Sequence, residues 1–166
     1  MNNYVIDLFQ RYRKAGILLD TNILMMYFVG AFRREIIPIF KRTQTFTIED
    51  YYTLLNIISY FEKVVTTPNI LTEVSNLLGQ LAEHLKLGCF ENFASGITGL
   101  DEHYLPSIDI AKTEEFKRFG ITDAGILSLA RDKYLVLTDD FRLSQYLQTK
   151  GVDVLNFNNI RVINWK

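Results

Sequence analysis

The chain has 166 residues, of which 48% are hydrophobic and 22% charged, with a formal net charge of −1. That balance describes one packed domain and excludes a disordered chain. It also weighs against a sequence-blind nucleic-acid binder, which needs a strongly basic surface to neutralise phosphates.

Residues 2–13 read as an amphipathic helix, with Val5, Leu8, Phe9 and Tyr12 on one face. The segment MNNYVIDLFQRYRKAG has an acid in its middle and its basic residues at the end. That is the wrong order for a secretory signal, and the expected location is cytoplasmic. Gly16 lies past the helix, and GILLD at 16–20 reads as a short, fully buried strand of a parallel sheet. Asn22 opens a second helical stretch, NILMMYFVGAFRREI, which Pro38 interrupts. Thr47 is an expected N-cap with Asp50 three residues on, and the helix it opens is expected to reach about residue 62.

KVVTT at 63–67 reads as the second strand. Thr67 caps the next helix and Pro68 suits its first position. Its apolar set, Ile70, Leu71, Val74, Leu77, Leu78, Leu81 and Leu85, has helical spacing, with Gly88 as the expected end. Cys89, the single cysteine, reads as a small apolar residue. Residues 88–111, with Gly96, Gly99 and Pro106, read as a short helix and loops. TEEFKRFG gives one or two helical turns closed by Gly120, and Thr122 is the expected cap of DAGILSLARDK. YLVLT is the third strand, DFRLSQYLQTKG a helix ending at Gly151, VDVLNF the fourth strand, and IRVINW offers a fifth. No apolar run is long enough to cross a bilayer, so no membrane partner is expected.

Strands alternating with helices predict an α/β fold: three layers, α/β/α, around a central, mostly parallel sheet of four or five strands. In such sheets, sites form at the carboxyl ends of the strands. Asp20 in GILLDTN ends the first strand and Asp139 and Asp140 in LVLTDDFRL follow the third, while Glu73 in TTPNILTEV and Asp123 in GITDAGILSLA ride on the helices. Each alone has an ordinary explanation as a cap, a first-turn acid or a solvated residue. Together, carboxylates from separate elements suit a hard divalent cation such as Mg²⁺ or Mn²⁺. Two such ions about 4 Å apart can activate a water and stabilise the leaving oxygen in phosphodiester hydrolysis.

The segments LLDTN, TTPNILTEV, ITDAGILSLA and LVLTDDFRL, in that order, resemble the PIN-domain family of ribonucleases. They span about residues 16 to 157. The resemblance implies a metal-dependent endoribonuclease that cuts single-stranded or looped RNA with Mg²⁺ or Mn²⁺. It carries the four family acids onto Asp20, Glu73, Asp123 and Asp140, with Asp139 a neighbour that can also bind metal. Thr21, Asn22 and Thr138 would orient carboxylates or waters. Compared with compact VapC-type toxins of the family, this single domain carries longer helical insertions around 31–62 and 88–120.

Basic residues fall at Arg11, Arg13 and Lys14, at Arg33 and Arg34, at Lys41 and Arg42, and at Lys117 and Arg118. Arg142, two residues past Asp140, is the expected RNA contact. Expected partners are the RNA substrate, an antitoxin or other inhibitory protein, and a second copy of the chain. The apolar helices at 23–40 and 48–62 can serve a dimer interface or the core. The other readings are a catalytically silent scaffold of the same fold and a haloacid-dehalogenase-like phosphatase. The phosphatase is disfavoured because Asn22 stands where its second aspartate belongs. A dinucleotide binder is disfavoured because DTNILM has no glycine.

Overall fold

The computed structural model describes residues 3–162. Among them the elements run α1 (Asn3–Tyr12), β1 (Ile17–Leu19), α2 (Thr21–Arg33), a 3-10 turn (Arg34–Ile36), α3 (Ile48–Ile58), β2 (Val64–Thr66), α4 (Pro68–Leu78) and α5 (Glu83–Ile97). They continue with β3 (Asp101–Glu102), α6 (Ser107–Ala111), α7 (Glu114–Ala130), β4 (Leu135–Thr138), α8 (Phe141–Thr149), β5 (Val154–Asn156) and α9 (Phe157–Ile160). The five strands form one sheet in the order β3-β2-β1-β4-β5, and every pairing is parallel. Helices flank the sheet on the expected α/β/α plan. No helix among the described residues is long and apolar enough to cross a membrane.

β1 is the centre of the molecule. Leu18 pairs with Val65 on one side and Val136 on the other. Ile17, Leu18 and Leu19 are all 0% exposed, as a strand covered on both faces must be. The chain leaves β1 for β2 and β3 on one side, then returns to lay β4 and β5 on the other. The strand order therefore reverses between β1 and β4, and that crevice at the carboxyl ends is where such sheets bind ligands.

The helices read from sequence form for the expected local reasons. Thr47 and Asp50 make a reciprocal capping box at α3. Thr67 caps α4 and Pro68 occupies its first turn. The apolar residues of α2 from Ile23 to Met26, with Phe28 and Val29, are buried core, as are Tyr51, Leu54 and Ile57 of α3. These buried faces belong to the core.

Several boundaries differ from expectation. α3 ends at Ile58, not near residue 62, because Phe61 turns in against Phe9 and the Glu62 N–H donates to the Arg13 carbonyl at 2.8 Å. α4 stops at Leu78, and Gly88 lies inside α5 instead of ending a helix. Its missing side chain admits Phe32, since a Cβ there would stand 2.9 Å from that ring. Residues 88–97 are helix rather than loop, held by Phe93 packing edge-on against Phe28 at 4.7 Å, with Cys89 buried beside them.

The fifth strand is β3, which the sequence hides because its two residues are acidic. Asp101 pairs with Val65, and its carboxylate meets Lys63 at 3.4 Å and His103 at 3.2 Å. The other candidate for a fifth strand, IRVINW, begins inside α9, and its residues 163–165 lie outside those described. Gly120 does interrupt helix α7: its φ of 81° and ψ of −176° divide the element into two segments.

Candidate metal centre

Asp20 is placed by the end of β1 and by the start of α2. Its backbone is extended, and its Oδ1 accepts the Ile23 N–H at 2.9 Å as the cap of α2. Its Oδ2 accepts the Asp139 N–H at 3.2 Å, so one carboxylate ties β1 to the end of β4 across the crevice. The side chain is 5% exposed. Burial, and then the charge of Asp139, push its carboxyl up from 3.8 to about 7. The Thr138 hydroxyl and the two N–H groups oppose that rise.

Asp139 and Asp140 follow β4 and face different neighbours. Asp139 Oδ1 accepts from Asn22 Nδ2 at 3.1 Å, and its carbonyl accepts from Asn158 Nδ2 at 2.7 Å. Its carboxyl is raised by burial and by Asp140, against the Asn22 bond and the more distant charge of Arg161. Asp140 caps α8 through Oδ1 to the Leu143 N–H at 2.9 Å, and its own N–H donates to Thr138 Oγ1 at 3.0 Å. Asp139 thus belongs with Asp20, whereas Asp140 belongs with Asp123.

Glu73 rides on α4 and is clamped from two sides. Its Oε2 accepts from Thr21 Oγ1 at 2.8 Å and its Oε1 from Thr122 Oγ1 at 2.6 Å. Thr122 is therefore a ligand of Glu73 and not the helix cap expected from its position. Asp123 follows it on α7, three residues past the Gly120 kink, and makes no side-chain hydrogen bond among the described residues. Burial, then Glu73, then Asp140 push its carboxyl from 3.8 to about 6.

The five acids read from the sequence therefore meet at the crevice, together with Thr21, Asn22 and Thr138. Thr122 and Asn158 are additional members. Thr122 stood inside a recognised segment but carried a capping explanation, whereas Asn158 had no sequence signal. Arg142 lies one residue into α8 past Phe141, with its guanidinium 5.2 Å from the Phe119 ring and no carboxylate contact.

None of the five carboxylates forms an ion pair with a Lys, Arg or His among the described residues. Burial first, and then repulsion within the group, hold protons on Asp20 and Asp123, and those protons relieve the repulsion. A cation would meet it instead. Among the described residues, no three His, Cys, Asp or Glu side chains converge tightly enough to hold one ion by themselves. A hydrated Mg²⁺ does not need such a cage, since it keeps several waters and binds through one or two carboxylates. The oxygens that accept no hydrogen bond are both of Asp123, Oδ2 of Asp139 and Oδ2 of Asp140. The donor set is all oxygen, which suits Mg²⁺ or Mn²⁺ and not a softer metal. No family model matches this chain, and no curated protein matches it in sequence.

Proposed function

We propose that this protein is a metal-dependent endoribonuclease of the PIN type. The observation that supports it best is the group of five carboxylates, without an ion pair among the described residues, at the point where the strand order reverses. The order of the motifs along the sequence supports the same reading, and the choice of RNA as substrate rests on that resemblance.

In this reading Asp123 and Asp140 would hold a hydrated divalent cation on the α7–α8 side, with Asp139 Oδ2 meeting its waters rather than the ion. When bound, such an ion acidifies a water and stabilises the leaving oxygen of a phosphodiester. Asp20 keeps the two halves of the crevice in register through its bonds to Ile23 and Asp139. Glu73, fixed by two hydroxyls, orients water on the opposite wall. A cation in place would offset the repulsion that adds to burial in raising the carboxyls of Asp20 and Asp123.

The looseness of the carboxylate group favours a second reading, a scaffold of this fold that binds without cutting. One experiment separates them. Purified protein is incubated with single-stranded and hairpin RNA in Mn²⁺, Mg²⁺ or EDTA, beside a folded Asp20→Asn/Asp123→Asn variant. Metal-dependent cutting by the parent and none by the variant is the expected result. No cutting together with no Mn²⁺ binding would leave the scaffold.

A further inference from the structure

We infer that the α7–α8 face beside Asp123 and Asp140 is the docking track for a single-stranded RNA segment, with Arg118 and Arg142 taking phosphates and Phe141 stacking on a base. This rests on the nuclease reading for the position of the cut, but not for the binding itself.

The face is built as a ladder of cations and rings. Arg142 and Tyr146 of α8 and Lys150, which caps its C-terminus, follow one another at four-residue spacing, so they line one side of the helix. Phe119 of α7 packs on Tyr146 at 4.8 Å. The Arg142 guanidinium lies 5.2 Å from the Phe119 ring, and Arg118 lies 5.2 Å from Phe119 and 4.7 Å from Tyr146. Aromatic faces fix these guanidinium groups without neutralising them. Stacked guanidinium keeps its in-plane donors for phosphate, which is why arginine suits such a surface.

The charges on the face are sorted. Its acids, Glu114 and Glu115, are taken by Lys150 at 4.0 and 3.4 Å. Lys117, Arg118 and Arg142 enter no ion pair among the described residues. Unpaired cations therefore stand directly beside unpaired carboxylates, although the whole chain carries a net charge of only −1. Phe141 follows Asp140 and is 64% exposed, so much of its ring is open to a base. A base stacked there would set the adjoining phosphate against Asp140 and Asp123. Single strands are favoured over duplex, because only an unpaired base offers its face to Phe141.

The test measures binding in EDTA, where nothing is cut, with a labelled single-stranded RNA of mixed sequence and its duplex. An Arg118→Gln/Arg142→Gln variant and a Phe141→Ala variant are compared with the parent, each checked for folding by its melting curve. The arginine variant should weaken binding more than tenfold and flatten the slope of log affinity on log salt by about 1.4, two phosphates' worth. Phe141→Ala should weaken single-strand binding about tenfold and leave duplex binding unchanged. Variants that bind as the parent does overturn the inference, even where the parent cuts RNA. So does a parent that binds no RNA, including one that instead binds polyglutamate, which would make the partner an acidic protein. If the parent cuts nothing but loses binding in the variants, the docking track stands and the nuclease reading falls.

Discussion

At the scale of single residues, the site is organised by hydroxyls and backbone N–H groups that decide which carboxylate oxygens stay free. Thr21 and Thr122 occupy both oxygens of Glu73, and Ile23 and Asp139 occupy both of Asp20. Two carboxylates are thereby fixed in direction, leaving Asp123 and one oxygen each of Asp139 and Asp140 to bind. Replacing Thr122 by Val removes one short bond to Glu73 and changes shape little. Each lost bond should reduce stability by about 1 kcal/mol, read by urea denaturation. On the nuclease reading the rate effect is larger: Thr21→Val/Thr122→Val should lower kcat for RNA cleavage more than tenfold with little change in KM. An unchanged kcat would mean that Glu73 needs no fixed direction. Asp20, Asp139 and Asp140 were legible because each follows a buried strand, and Glu73 and Asp123 because a recognisable motif surrounds each inside its helix. What was not legible is which acid faces which, since that depends on how α7 and α8 meet. Thr122 shows the limit: its position next to Asp123 reads equally well as a cap or as a partner for Glu73.

At the scale of elements, position is set by interruptions as much as by helices. Gly120, at φ 81° and ψ −176°, turns α7 so that Thr122 meets Glu73 of α4 while Arg118 and Phe119 meet Tyr146 of α8. An alanine there must adopt a conformation that L residues rarely take. Gly120→Ala should cost about 1–3 kcal/mol in equilibrium unfolding and weaken both metal binding and cleavage. Full stability and activity in that variant would mean that the two segments of α7 can realign freely. The elements that sequence missed share one physical cause. The parallel strands β1 and β4 are apolar throughout and were plain, whereas β3 is two acidic edge residues whose charge is met by Lys63 and His103. α5 was hidden because its glycines, read as breaks, are contact surfaces for Phe32 and Phe28. Local chemistry signals a turn at such a glycine, and only tertiary packing overrides it.

At the scale of the whole molecule, β1 couples the core to the site, because the strand that anchors the sheet ends at Asp20. Leu18, fully buried between β2 and β4, has no room to be replaced. Leu18→Ala should destabilise the fold by about 2–5 kcal/mol in urea denaturation. A cost under about 1 kcal/mol would mean that the sheet relaxes around the lost volume.

The acidic crevice gives the folded state a dependence on pH whose sign can be worked out, and on the metal reading a dependence on divalent cations with it. Asp20 and Asp123 hold protons in the folded protein up to about 7 and about 6, against 3.8 for each when the chain is unfolded. Between those values the folded state binds more protons, so the stability these groups contribute is fully present below about 3.8 and is lost as pH climbs through about 6 to 7. Asp101 and Glu83 are shifted the other way by their basic partners, and Glu115 by a backbone N–H and then by Lys150, and their contribution fades only in more acidic solution. In EDTA, the melting temperature should therefore fall between pH 5 and pH 8. A cation that binds only the folded site opposes that loss, adding about 2.7 kcal/mol at a hundred times its Kd. Protons compete with it, so Mn²⁺ should raise the melting temperature at pH 8 and do little at pH 5. The Asp20→Asn/Asp123→Asn variant should lose most of both dependences. A parent protein that grows more stable from pH 5 to 8 in EDTA, or ignores Mn²⁺ at pH 8, would show that the crevice tolerates its own charge and has no use for a metal.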